Sequence, residues 1–295
     1  MSATNRNENG VEERPTRKDI EETASFLKKQ TSDRPKLAII CGSGLGGLAD
    51  IVEDRINIPY KDVPGFPVST VAGHTGQLVF GKLSGKSVVL MQGRAHVYEG
   101  VPIWKVAIPI RVLQVFGVKT IFVTNAAGGI NRDFSVGDIM VISDHVNIAG
   151  FAGANPLVGL NDDSFGPRFP AMSDAYDPDL MQLAKKVGHE LGLDSILRQG
   201  VYSFLVGPSF ETIAECRLLK TLGVDATGMS TVPEVVTARH CGMRVFGLSL
   251  ITNKCVMEYN MREKANHEEV LETGKKRAKD LQNLVSKMVA SIDGI

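Results

Sequence analysis

The chain has 295 residues, 43% apolar and 22% charged, and its 33 basic residues balance 33 acidic ones. A neutral chain with no block of Lys or Arg carries no electrostatic footprint for nucleic acid or an anionic membrane, and its apolar runs are too short to span a bilayer. Four scattered cysteines (Cys41, Cys216, Cys241 and Cys255) form no Cys-x-x-Cys, which argues against a disulfide framework or a zinc site and fits a reducing, cytoplasmic compartment.

Residues 1–16 (MSATNRNENGVEERPT) are polar and lack the apolar stretch of a secretory signal. They read as a disordered extension ahead of one domain over 17–295. A helix opens near Lys18 and runs through Ile20, Ala24 and Phe26 to Leu27. Residues 37–41 (LAIIC) have the continuous apolar pattern of a buried strand, and 87–91, 120–124, 138–142 and 245–251 repeat it. Helical stretches separate these runs. The pattern predicts a single α/β domain, with a central mostly parallel or mixed twisted β-sheet flanked by helices.

Several of these strands end in small or polar residues: residues 42–47 (GSGLGG), 92–96 (QGRAH), 125–129 (NAAGG), and Thr252-Asn253. Ligands of open α/β sheets bind outside the carboxyl ends of the strands, so four such ends point to one composite site. The first loop satisfies G-x-G-x-x-G, but Pro59, Pro64 and Pro67 interrupt the crossover that a dinucleotide fold needs. Asp62 falls among those prolines, not at a strand end. Residues 76–82 resemble a phosphate-binding loop, yet Leu83 replaces its magnesium-binding hydroxyl. What remains is a glycine loop whose backbone N–H groups and Ser43 hydroxyl suit a free anion, or else a plain tight turn. Arg94 offers a planar fork for an oxyanion, and His96, two residues on, points the same way in extended chain. A surface Arg and a core His are the alternative.

Residues 151–169 (FAGANPLVGLNDDSFGPRF) form a long Gly/Pro/Asn/Asp-rich loop whose three phenylalanines want a surface to cover, as a lid or as a subunit contact. Thr212-x-x-Glu215 and Thr231-x-x-Glu234 read as capping boxes that start two helices. Glu211 sits beside the first start, where the helix dipole favours its ionised form, and Ser230 beside the second, as a third anion contact. A last helix opens at Asn266, with His267 in its first turn, where a neutral imidazole suits a sugar hydroxyl.

Taken together, IICGSGLGGL, MQGRAHVYEG, VTNAAGGIN, GPRFPAMSDAYD, GPSFET, GMSTVPEV and ANHEEVL closely resemble the trimeric class of purine nucleoside phosphorylases, over nearly the whole chain. The resemblance implies phosphorolysis of 6-oxopurine nucleosides (inosine, guanosine and their deoxy forms) to free base and ribose 1-phosphate, with phosphate as co-substrate and no cofactor or metal. It places phosphate against Ser43, Arg94, His96, the backbone at Ala126, Ser230 and His74. It places ribose against Tyr98, Phe210, Met229 and His267, and the purine against Glu211 and Asn253 with Ala127 nearby. Catalysis then falls to Asn253, Glu211, His96 and His267. A homotrimer is implied, with Phe169 lent to a neighbour's site. The sister methylthioadenosine phosphorylases carry Asp where this chain has Asn253. Thr227 and Cys255, beside the base pocket, depart from the valines of mammalian members. A nucleoside-binding protein without activity and a dinucleotide-dependent oxidoreductase are the rival readings.

Overall fold

The computed structural model describes residues 13–43, 45–71, 75–260 and 267–292. In chain order the elements are α1 (Arg17–Gln30), β1 (Leu37–Cys41), β2 (Glu53–Pro59), β3 (Gln77–Leu83), β4 (Lys86–Gln92), α2 (Ile103–Val106) and α3 (Ile108–Phe116). There follow β5 (Thr120–Gly129), β6 (Ile139–Asn147), α4 (Ile148–Phe151), α5 (Pro178–Glu190), β7 (Leu197–Phe204) and α6 (Ile213–Thr221). The last are β8 (Ala226–Gly228), α7 (Val232–His240), β9 (Arg244–Lys254) and α8 (His267–Ser291). The extension expected over residues 1–16 falls largely outside the described residues, as does the expected start of α8 at Asn266.

Nine strands form one mixed sheet in the order β2-β3-β4-β1-β5-β8-β7-β6-β9, and β9 also pairs with β5. That last pairing closes β5-β8-β7-β6-β9 into a ring, from which β1, β4, β3 and β2 extend as an open wing. β1 lies parallel to both β4 and β5, and β5 lies parallel to β9 over nearly its whole length. The hairpins β2–β3 and β3–β4, and the pairs β5–β8 and β6–β9, are antiparallel. The expected sheet is therefore mixed.

Alternation along the strands explains the layers. On β1, Ala38 and Ile40 enter one core with Ile20 and Leu27 of α1, Leu113 of α3 and Val235 of α7. Leu37, Ile39 and Cys41 point to the opposite face, against Leu180 and Ala184 of α5 and Leu281, Leu284 and Val285 of α8. A strand covered on both faces has no reason to alternate in hydropathy, hence the continuous apolar run. α1 begins where Thr16 and Asp19 close a full capping box, and Lys28 and Lys29 sit in its last turn against the negative end of the dipole.

β5 and β9 run past the apolar stretches 120–124 and 245–251, so residues 125–129 and Thr252-Asn253 lie within the strands that they were expected to end. The two strands run on side by side because each supplies the other's backbone partners through Gly129 and Lys254. An irregularity in that ladder falls between Ala127 and Gly128: Ala127 faces Ile251 and Gly128 faces Asn253, so β9 carries one extra residue, Thr252. Such a bulge kinks the strand and re-aims its side chains.

Candidate active site

A cavity of about 300 Å³ opens where β1, β4, β5, β8 and β9 converge. Its lining includes Ser43, Arg94, His96, Tyr98, Ala126, Ala127, Phe210, Glu211, Met229, Ser230 and Asn253, so the structure brings together eleven of the fourteen predicted site residues. Phe169 is absent from this lining and stands 87% exposed on the surface. His74 and the His267 side chain lie outside the described residues.

One end of the cavity is built for an anion. After β1 the chain turns through Gly42, whose position against β5 leaves no room for a side chain: a Cβ there would collide with Thr124 and Asn125 backbone atoms. The turn leads into a short 3-10 helix, Gly46–Ile51, and holds Ser43 at the cavity wall. Arg94 is 2% exposed. Its Nη1 donates to Thr231 Oγ1 at 3.1 Å, its Nη2 to the Thr124 carbonyl at 2.5 Å, and its Nε lies 3.3 Å from Glu234 Oε1. A buried guanidinium needs this compensation, since an unpaired one would be very costly to desolvate.

Thr231 is thus not the capping residue its sequence position suggested. Its backbone is in a strained conformation at φ 75°, ψ −55°, with no side-chain cap. Its hydroxyl, fully buried, instead accepts from Arg94 and, at 2.8 Å, from Asn125 Nδ2. Glu234 likewise turns inward to Arg94. The site outcompetes the helix end for both side chains, because burying Arg94 without them would cost more than an uncapped turn.

His96 is fixed from behind. Glu99 Oε1 lies 3.0 Å from its Nδ1 and accepts from its backbone N–H at 2.7 Å, while Tyr98 stacks on the ring at 4.6 Å. Burial pulls the Glu99 carboxyl upward, but the His96 ring and amide and the Thr70 N–H and hydroxyl outweigh it and hold it at about 2. A carboxylate on Nδ1 keeps the proton there and orients Nε2.

The other end suits a flat polar heterocycle. Asn253, 7% exposed, has its Oδ1 held by the Thr252 hydroxyl at 3.2 Å. Glu211 receives the Thr227 hydroxyl at 3.4 Å, and Thr227 in turn accepts from Ser203 at 2.9 Å. Sequence reasoning placed Glu211 under the α6 dipole. In the structure Thr212 and Glu215 cap that helix reciprocally. Glu211 instead sits in the cavity wall, where burial raises its pKa above the ordinary carboxylate value despite the Thr227 bond. Desolvation wins over the dipole. Between the two ends, Met229, Tyr98, Phe210 and Val71 provide an apolar wall.

The sequence reading passed over Glu99, Glu234 and Thr231 as partners of the anion end. Glu99 stands inside the recognised VYEG segment and could have been found there; the other two were concealed by their resemblance to a cap. Thr227, noticed only as a departure, is the residue that orients Glu211.

A half-closed mixed sheet with an oxyanion end and a heterocycle end in one cavity defines a phosphate-using enzyme of nucleosides. The chain belongs to the phosphorylase superfamily, whose sequence model matches residues 36–290. It is 57% identical over 277 residues to the Bos taurus purine nucleoside phosphorylase, covering 94% of this chain and 96% of that one. Two crystal structures of Schistosoma mansoni purine nucleoside phosphorylase superpose closely. The adenosine complex has a TM-score of 0.92 at 48% identity over 95% of this chain and 99% of that one. The inosine complex has a TM-score of 0.91 at 47% identity over 95% and 98%.

Proposed function

We infer that this chain catalyses the reversible phosphorolysis of 6-oxopurine ribonucleosides and deoxyribonucleosides, yielding the free base and (deoxy)ribose 1-phosphate. The observation that carries the reading is the single cavity joining Arg94, His96, Ser43 and Ser230 at one end to Glu211 and Asn253 at the other. In the forward direction a phosphate oxygen attacks C1′ while the C1′–N9 bond breaks, and the electron pair leaves with the purine. The Arg94 and His96 side chains, the Ser43 and Ser230 hydroxyls and the Ala126 backbone position the phosphate under the sugar, which turns an encounter into an oriented attack. His74, outside the described residues, is assigned to the phosphate by resemblance.

Negative charge develops on the departing purine, and Asn253 meets it at N7 and O6, where stabilisation counts in the transition state and not before. Ionised Glu211 accepts from N1–H. Met229, Tyr98 and Phe210 keep water from the ribosyl cation, which favours phosphorolysis over hydrolysis, and His267 bonds the sugar. No cofactor or metal enters these steps. Among the described residues no helix is long and apolar enough to cross a membrane, and the even charge agrees with a cytoplasmic enzyme of purine salvage. The assembly is a homotrimer in which Phe169 of one subunit covers the ribose of the next.

The deciding assay is phosphate-dependent turnover of inosine, with hypoxanthine and ribose 1-phosphate both detected. Turnover of adenosine or methylthioadenosine faster than inosine would overturn the reading. The relative crystallised with adenosine shows that turnover, not binding, must be compared. Asn253→Asp should raise the ratio of adenosine to inosine kcat/KM by roughly tenfold or more, about the 1–3 kcal/mol of one well-placed hydrogen bond. An unchanged ratio removes Asn253 from base selection.

A further inference from the structure

Beside the base end of the cavity, Glu211 belongs to a donor cluster whose two thiols phosphorolysis does not use. Glu211, Cys216 and Cys255 present a carboxylate oxygen and two sulfurs, all within 4.8 Å of one another. The three come from different segments: the chain ahead of α6, α6 itself, and the residue following β9. Cys216 is buried and Cys255 half-buried. A Cβ placed on Gly128, a cavity residue, would lie only 2.7 Å from the Cys255 sulfur, so the cluster directly adjoins the cavity.

We propose that Glu211, Cys216 and Cys255 form a binding site for a thiophilic divalent cation such as Zn²⁺ or Cd²⁺. Two thiolates and one carboxylate are the donor set such an ion prefers, whereas Mg²⁺ and Ca²⁺ demand oxygen alone. Tetrahedral zinc with ligands at its usual bond lengths holds neighbouring donors roughly 3.5–3.8 Å apart. With all three donor atoms within 4.8 Å of one another, the present spacing reaches that by a contraction of roughly 1.3 Å at most. Binding releases the two thiol protons to solvent, forms two metal–sulfur bonds and one metal–oxygen bond, and leaves the fourth position to water from the cavity. Three protein ligands and one open position make the ion exchangeable, unlike a structural zinc.

The consequence for activity rests on the reading of Glu211 as the purine's partner. A cation that occupies this carboxylate removes the acceptor for N1–H, so it competes with the nucleoside and not with phosphate.

The test uses the full chain, reduced and then freed of reductant and chelator, and titrated with Cd²⁺ without substrate. An ultraviolet thiolate-to-cadmium charge-transfer band should saturate at one ion per chain. Cys255→Val and Cys216→Ser should each weaken Cd²⁺ binding at least tenfold, while Cys241→Ser keeps the band. Absence of the band in folded wild-type protein, or its persistence in both Cys216→Ser and Cys255→Val, overturns the site. Initial rates then separate the two readings. Zn²⁺ inhibition competitive with inosine and reversed by chelator supports both. A band with inhibition indifferent to inosine keeps the metal site and removes Glu211 from base recognition.

Discussion

Glu211 is a carboxylate that the fold holds at an energetic disadvantage. Burial raises its pKa above 4.5, and the Thr227 hydroxyl only partly offsets this. Because the folded state binds the Glu211 proton more tightly than the unfolded chain does, its contribution to stability is full below about pH 4.5 and is lost as pH rises through the folded value. At neutral pH the ionised group therefore costs stability, which in the proposed reaction the purine N1–H offsets on binding. Glu211→Gln should raise the Tm of the unliganded protein at pH 7 and lower kcat/KM for inosine by roughly 10²-fold, the loss of a hydrogen bond to a charged group. It should also remove the acidic limb of the kcat/KM profile, which in the wild type lies above the ordinary carboxylate range. Thermal melts and the pH profile check both. Glu99 has the opposite sign: held at about 2, it contributes stability above about pH 4.5 that fades as pH falls toward that value.

At the scale of elements, α6 and α7 make a controlled comparison. Both begin Thr-x-x-Glu, yet only α6 closes the box. Glu215→Ala should cost about 0.5–2 kcal/mol, the usual range for a lost cap, with phosphate KM unchanged. Glu234→Ala leaves the Arg94 guanidinium without its buried counter-charge and should cost about 3–5 kcal/mol, with phosphate KM raised well above any change in inosine KM. Denaturant unfolding and a two-substrate analysis read both. Equal costs would mean that Glu234 is only a cap. The comparison also marks where sequence stops being legible. The buried strands β1, β4 and β5 stood out because both faces are apolar, and Ser43, Arg94, His96, Ser230 and Asn253 were found because they flank those runs or helix starts. β2 could not be found this way: five of its seven residues are exposed, so it carries no apolar pattern. β8 is three residues long and exists only through its neighbours. A local motif cannot tell whether Thr231 and Glu234 serve the helix or Arg94, since Arg94 arrives from 137 residues away.

For the molecule as a whole, the surface holds an apolar excess that one chain does not cover. Phe151, Val158, Leu160 and Phe169 are between about half and fully exposed on the 148–170 segment. A cluster of this kind marks an interaction surface more often than free solvent. Sedimentation should give a species of three chains, and Phe169→Ala should raise the KM of inosine several-fold with phosphate KM little changed. Monomeric wild-type protein with full activity would remove the intersubunit role. The proposed trimer and the role given to Phe169 rest on resemblance alone, because no pattern within one chain names its neighbour.

The extra residue on β9 has a wider implication. Ala126 and Asn253, which the proposed reaction sets against the incoming and the departing group, sit on strands that hydrogen-bond along their length. The two ends of the cavity are therefore gauged by neighbouring rails instead of by independent loops. Beyond Ala127 one rail skips a tie at Thr252, and the hydroxyl of that extra residue holds Asn253 Oδ1. Removing Thr252 would restore even spacing, keep Asn253 opposite Gly128 and take away the hydroxyl that fixes its amide. New base preferences are consequently open to exchange of the side chain at 253, but closed to any shift in its position along the strand.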